Sequence, residues 1–176
     1  MTYKECIIEA TDELAKTPFT IFMGYNVKKG KANGTFLNVP DYKLFETPVA
    51  ENLIIGLATG LSLEGYLPIV YIERFDFILN ALDAIVNHLD KIEKLSHGEF
   101  KPKVIIKTAI GIKNKPLYSC LTHTQDFTEA LQNLVTFPVI KLQASEYYIK
   151  NAYEVATLND RSTIIIEEKE LYDEQV

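Results

Sequence analysis

Apolar positions early in the chain recur at helical spacing. Tyr3, Ile7, Ala10 and Leu14 fall on one face, and Thr2 with Glu5 forms a capping box ahead of them. Pro18 closes that helix. Residues 19–23 then read as a short buried strand, and residues 24–46, with Gly24, Gly30, Gly34 and several lysines, show no period and read as a long loop. Thr47-Pro48 carries the signature of a helix start, a hydroxyl cap followed by proline, and Leu53, Ile54, Leu57 and Leu61 continue the period to Gly65. Gly56 and Gly60 lie one turn apart on this helix and permit close backbone packing. A strand at 68–72 follows, then a helix from about Asp76 through Leu82, Ile85, Val86, Leu89 and Ile92 that ends at Ser96-His97-Gly98. A third strand at 104–106 is too apolar to be half exposed. A second long loop (109–124), a short helix (127–134), a strand (139–142), a helix (146–158) and a last strand (163–167) complete the chain.

Short buried strands alternating with helices predict one domain, residues 1–176, of three-layer α/β/α architecture. Its sheet is mostly parallel, with helices on both faces. Ligands of such sheets bind at the carboxyl ends of strands, where the two long loops emerge.

Composition narrows the class. The chain has 176 residues, is 47% hydrophobic and 24% charged, and carries a formal net charge of -6. With Arg74 and Arg161 as its only arginines and no basic cluster, neither nucleic acid nor an anionic membrane surface is an expected partner. No apolar run reaches the roughly 18 residues of a membrane span, and the first residues show no signal-peptide pattern. Cys6 and Cys120 have no metal-type spacing and read as free thiols of a reducing compartment, so the expected location is cytoplasmic.

Three blocks carry a resemblance. Glu46-Thr47-Pro48-Val49-Ala50-Glu51, followed by Gly56, Gly60 and Glu64-Gly65-Tyr66-Leu67-Pro68, is similar to D-T-P-I-x-E, G-x-A-x-G and G-x-x-P. Phe75-Asp76-Phe77 with Ala81 and Asp83-Ala84-Ile85-Val86-Asn87 is similar to F-x-D-F, A and D-Q-I-V-N. Asp160, Ile164–Ile166 and Glu167-Glu168-Lys169-Glu170-Leu171-Tyr172 resemble the block closing on E-x-K-x-L-Y, and His123-Thr124-Gln125 stands where H-S-Q is usual. In this order and spacing the blocks resemble the pyrimidine-binding domain of thiamine-diphosphate enzymes, closest to the β subunit of a 2-oxo acid dehydrogenase E1 component (pyruvate or branched-chain type). The likeness extends over essentially the whole chain.

The resemblance implies a division of labour. Thiamine diphosphate deprotonates its own thiazolium C2 through the imino form of its aminopyrimidine, and a carboxyl group on ring nitrogen N1' stabilises that form. By resemblance this carboxyl is Glu51. Its neighbours Val49, Ala50, Leu53 and Ile54 are apolar and favour a shared proton over a bare carboxylate. On the residues alone, Glu51 is equally a first-turn acid complementing a helix dipole. Phe75 and Phe77 match aromatic positions beside the pyrimidine, and His123 matches a histidine that acts near the substrate. Glu73 and Arg74 stand at usually neutral positions, and Glu73 is counted with the cofactor-binding residues. His88 and His97 read as surface or capping residues, and Asp83 with Asn87 as backbone positioners.

The departures are as informative. Tyr25 and Tyr71 occupy positions that are acidic in the family, where such acids are thought to relay protons between distant sites. Lys113-Asn114-Lys115-Pro116-Leu117 replaces a glycine-rich run. No G-D-G with a following asparagine occurs, so magnesium and the diphosphate are expected on a separate α-like chain, in a homo- or hetero-oligomer. E1 β subunits normally continue into a second domain, whereas this chain stops at Val176. The expected function is the pyrimidine-binding half of such an enzyme. The alternatives are a split transketolase-like ketol or acyl transferase subunit, and a non-catalytic assembly or regulatory domain.

Overall fold

The computed structural model describes residues 1–114 and 118–176, so the Lys115-Pro116-Leu117 part of the second loop lies outside the described residues. The elements in order are α1 (Tyr3–Lys16), β1 (Thr20–Gly24), a single turn α2 (Lys31–Gly34), β2 (Leu44–Glu46), α3 (Glu51–Leu63), β3 (Leu67–Ile72), α4 (Ile92–Leu95), β4 (Ile105–Ile110), α5 (Thr128–Leu134), β5 (Val139–Lys141), α6 (Glu146–Leu158) and β6 (Thr163–Glu168). Every strand pairing is parallel, and the sheet order is β2-β1-β3-β4-β6-β5.

The sheet separates two apolar clusters. One packs Tyr3, Ile7 and Leu14 of α1 and Ile149, Ala152 and Tyr153 of α6 on Phe22, Ile69 and Ile105. The other packs Ile54, Ile55 and Ala58 of α3, with Ile78 and Ile85, on Val70, Ile72, Ile106 and Ile164. Strands buried from both sides have no solvent face to alternate towards, which explains the unbroken apolar run at 104–106. The expected α/β/α fold, the capping box of α1 and the five expected strands are all present.

Three local expectations are corrected. First, the stretch 24–46 is structured: it holds α2 and the edge strand β2, too short to show a period. Lys31, Ala32 and Asn33 all have left-handed backbone, with φ of 47°, 50° and 59°. That conformation costs roughly 1–2 kcal/mol per residue without glycine, and tertiary hydrogen bonds hold it. Thr11 Oγ1 donates to the Thr35 carbonyl at 2.7 Å, and Asn33 donates to the Tyr71 hydroxyl.

Second, Thr47 does not cap α3. Its N–H donates to the Gly24 carbonyl at 3.0 Å, prolonging the β1–β2 ladder, and its hydroxyl has no partner among the described residues. The helix begins at Glu51 behind Ala50, which places the carboxylate in its first turn. Third, the expected helix from Asp76 is broken into a 3-10 segment (Phe75–Ala81), a π segment (Asp83–Leu89) and α4. Gly56 and Gly60 face open space on this chain rather than a packed neighbour.

At the centre lies a fully buried ion pair. Lys107 Nζ is 2.8 Å from Glu167 Oε1, and both side chains are wholly enclosed. Lys107 also donates to Thr35 Oγ1 and lies 4.5 Å from the Phe36 ring centroid. Glu167 accepts from Tyr153 at 3.2 Å and from Tyr172 at 2.7 Å. Burial pushes the Lys107 ammonium down, and burial followed by the Glu167 charge pushes the Tyr153 and Tyr172 phenols up. Lys107→Met alone should cost about 3–5 kcal/mol, because it leaves a buried carboxylate without its counter-ion. Lys107→Met with Glu167→Gln should recover at least half of that loss in urea denaturation.

Candidate functional site

The carboxyl ends of β1 and β3 meet the start of α3. Gly24 ends β1 with φ +152°, and a Cβ there would run into the Tyr71 carbonyl, so glycine is what lets β1 lie this close to β3. Between these ends is a pocket of about 100 Å³, walled by Tyr25, Val49, Ile54, Tyr71, Ile72 and Phe77, with Glu51 and Glu73 as its acidic members.

Glu51 is only 8% exposed. Its one hydrogen bond among the described residues is a long one, from Asn80 Nδ2 at 3.5 Å. Glu73 follows β3 and keeps about a quarter of its side chain exposed. Its Oε1 accepts from Asn26 Nδ2 at 3.4 Å and lies 3.9 Å from an Arg74 nitrogen. Asn26 is itself left-handed, with φ of 63°, and is clamped by Glu46, which accepts from the N–H groups of Asn26 at 2.5 Å and Lys28 at 2.7 Å. Glu46, first noticed as part of the Glu-Thr-Pro block, therefore shapes the loop behind the pocket. Nearby, burial and then the charge of Arg74 bring the Lys169 ammonium down to about 8.

His123 approaches from the second long loop. Its ring meets Phe77 edge-on, with centroids 5.2 Å apart and an interplanar angle of 78°. Cys120 Sγ at 2.9 Å and Thr122 Oγ1 at 3.1 Å occupy Nδ1, so Nε2 is the nitrogen left for a ligand. The Gly111 N–H donates to the His123 carbonyl at 2.9 Å, and a Cβ on Gly111 would collide with that carbonyl. Gln125 Nε2 donates to Asp76 Oδ1 at 2.7 Å, tying the His-Thr-Gln segment to the segment after β3.

The structure thus brings Glu51, Glu73, Phe77 and His123 to one edge of the sheet. Phe75 is not among them. It is fully buried and packs edge-on against Phe127, with centroids 5.8 Å apart, because the 3-10 turn points alternate aromatics in opposite directions. Asp83 accepts from Asn87 at 2.8 Å and lies 3.4 Å from exposed His88, so this pair bonds side chain to side chain. His97, with φ of 55°, ends α4. Tyr25 and Tyr71, marked in the sequence by their departure from acidic residues, are pocket walls. Asn26, Asn80 and Cys120 gave no signal, because their roles depend on loop geometry. A wider groove of about 820 Å³ runs between α1 and α6 on the other face of the sheet, lined by Glu9, Glu13, Lys150 and Leu158, and holds none of these residues.

The fold class is that of transketolase-type enzymes. A solved structure described as a split-gene transketolase in an inactive β4 tetramer superposes with a TM-score of 0.70 at 17% identity, covering 95% of this chain and 49% of that one. In sequence, the chain is similar to β subunits of 2-oxo acid dehydrogenases. It is 27% identical to the pyruvate dehydrogenase E1 component subunit beta of Chaetosphaeridium globosum, over 96% of this chain and 52% of that protein. It is 22% identical to the 2-oxoisovalerate dehydrogenase subunit beta of Bacillus subtilis (strain 168), over 98% of this chain and 53% of the relative. The chain spans about half the length of these curated relatives. No protein-family profile matches it.

Gly111→Ala should push the His123 turn away from β4 while leaving the sheet intact. The expected outcome is loss of the ring-current shift that Phe77 imposes on the His123 protons, with the apolar core resonances unchanged in NMR spectra.

Proposed function

We propose that this chain is the pyrimidine-binding half of a thiamine-diphosphate enzyme, acting as an E1 β-type subunit of a 2-oxo acid dehydrogenase together with a separate α-like chain. The observation that carries this reading is Glu51. A carboxylate in a first helical turn, nearly withdrawn from water, borders a small pocket with Phe77, Val49 and Ile54 in its walls.

These residues fit an aminopyrimidine. The pocket offers one enclosed carboxyl for a ring nitrogen, and flat aromatic and branched apolar walls for the ring faces. They do not fit the charged end of the cofactor. Among the described residues no group of three or more His, Cys, Asp or Glu is placed to hold a metal ion. With no G-D-G and following asparagine in the sequence either, this reading leaves magnesium and the diphosphate to the α-like chain.

When bound, thiamine diphosphate would supply a nucleophilic C2 carbon for chemistry at a 2-oxo acid carbonyl. This chain's residues do the rest. Glu51 holds a proton at the pyrimidine nitrogen, where the apolar walls keep competing water away. Phe77 covers a face of the ring and buttresses His123. His123, with Nδ1 occupied, presents Nε2 for a hydrogen bond or a proton at the reacting oxygen.

The proposed partner face is the outer side of α3, where Leu53 and Leu57 lie exposed beside Gly56 and Gly60, continued by exposed Leu79. No helix among the described residues is long and apolar enough to cross a membrane. The two free cysteines support a reducing compartment, the cytoplasm. The transketolase-like alternative draws support from the fold alone, and the non-catalytic one from Tyr25, Tyr71 and the 113–117 departure, against the retained Glu51.

Two outcomes test this reading. The chain by itself should bind thiamine diphosphate weakly in calorimetry, and submicromolar affinity without any partner contradicts a site shared between two chains. With the partner present, Glu51→Gln should slow exchange of the cofactor's C2 hydrogen with deuterium by about a hundred- to ten-thousandfold, the usual worth of acid–base assistance. Thermal stability should not fall, because Gln keeps the shape of Glu51 and removes a charge that is nearly withdrawn from water. Unchanged exchange removes Glu51 from the activating role.

A further inference from the structure

We infer that Glu73 makes the Glu51 pocket selective for a ring bearing an amino group, so that this chain itself discriminates an aminopyrimidine from its oxo counterpart. The inference rests on the pyrimidine-pocket reading above and adds ligand selectivity to it.

The argument begins with an oddity of composition. A pocket of about 100 Å³ with mainly aromatic and branched apolar walls carries two carboxylates, Glu51 and Glu73. One acid suffices for a ring nitrogen. The second needs its own explanation, because a flat ligand strips water from whatever side chain it covers.

Glu73 is held in place. Its Oε1 takes the Asn26 amide at 3.4 Å and sits 3.9 Å from the Arg74 guanidinium, which itself donates to the Glu73 carbonyl at 2.8 Å. The other oxygen, Oε2, has no hydrogen-bond partner among the described residues. Asn26 is in turn fixed by Glu46. The carboxylate is therefore tethered at one oxygen by long contacts, and its second oxygen is left for a ligand.

A carboxylate only accepts hydrogen bonds. A ligand that covers Glu73 must return a donor to it or leave a partly desolvated charge unpaired, a penalty of the size that sites use to reject analogues lacking the matching group. An exocyclic amino group is such a donor. An oxo group in its place sets one acceptor against another. Selectivity then comes from repulsion of the wrong ligand as much as from attraction of the right one. Arg74 does not cancel this, because its contact is to the anchored oxygen and is too long for a hydrogen bond.

Thiamine and oxythiamine form a suitable probe pair. They differ at the amino position of the pyrimidine and share the cationic thiazolium, so attraction of a cation to two acids is common to both. Neither needs the diphosphate half of the site. Both are titrated by NMR into the full chain, wild type and variants, with melting curves recorded for each.

The wild type should bind thiamine about tenfold more tightly than oxythiamine, equivalent to about 1.4 kcal/mol. Glu73→Met should bring the ratio close to one. Glu73→Gln keeps the shape, loses the charge and offers either a donor or an acceptor, and should lower the ratio by at least about threefold, since charge-assisted bonds are roughly twice as strong as neutral ones. Glu51→Gln should weaken both ligands while a ratio above one persists as long as Glu73 is in place. A ratio unchanged in folded Glu73→Met or Glu73→Gln, with thiamine still bound, overturns the selectivity role and leaves the pyrimidine pocket intact. Absence of binding of both probes to the wild type even at millimolar ligand, where a weak half-site would still register, overturns the pocket reading and the selectivity together.

Discussion

The fold turns on a lysine and a glutamate that have both left water completely. Lys107 and Glu167 sit on neighbouring strands β4 and β6, and taking either charge out of solvent alone costs several kcal/mol. The structure offsets that cost by surrounding the pair with groups that must themselves be correctly placed: Thr35 from the turn after α2, Tyr153 from α6 and Tyr172 from the last turn. A slip of β4 against β6 by one residue would turn Lys107 to the opposite face of the sheet and strand both charges, so the pair fixes register as well as contact. The same demand reaches the site. Thr35 is held by Lys107, Asn33 two residues before it holds the Tyr71 hydroxyl, and Tyr71 is a wall of the Glu51 pocket.

Much of this was legible from spacing. Alternation of apolar strands with helices gave the parallel three-layer sheet, since the burial of both sheet faces leaves an unmistakable run such as Val104-Ile105-Ile106. The site's position followed from strand ends and long loops. What was not legible depended on tertiary contacts. Three residues in left-handed conformation leave no trace in sequence when two of them are lysine and alanine, because Thr11, Thr35 and Tyr71 impose the turn from outside. Thr47-Pro48 carried the chemistry of a helix start, but the Thr47 backbone was taken by the β1–β2 edge and the helix began later. Both phenylalanines of Phe75-Asp76-Phe77 matched aromatic positions beside the pyrimidine, with Phe77 the stronger candidate. A 3-10 turn sent Phe75 into the core and Phe77 to the pocket.

On the proposed reading, the pocket is half of a site shared between two chains. It has an enclosed carboxyl, aromatic walls and an imidazole with one nitrogen committed to Cys120 and Thr122, yet no group of three or more His, Cys, Asp or Glu placed to hold a metal ion among the described residues. Beside it runs an uncovered apolar strip on α3 with two glycines facing outward. A second chain seated on that strip would close the pocket, exclude water from Glu51 and bring its own phosphate-binding groups to the open end. In the proposed complex each half would supply what the other lacks: the electronic tuning of the ring here, the charge neutralisation there.

The most direct measurement is calorimetric titration of thiamine diphosphate, with magnesium, into the diphosphate-binding partner chain alone and into an equimolar mixture with this chain. Completion of the site by Glu51, Phe77 and their neighbours predicts binding about a hundredfold tighter in the mixture, equivalent to about 2.7 kcal/mol. Equal affinity with and without this chain would contradict the shared site.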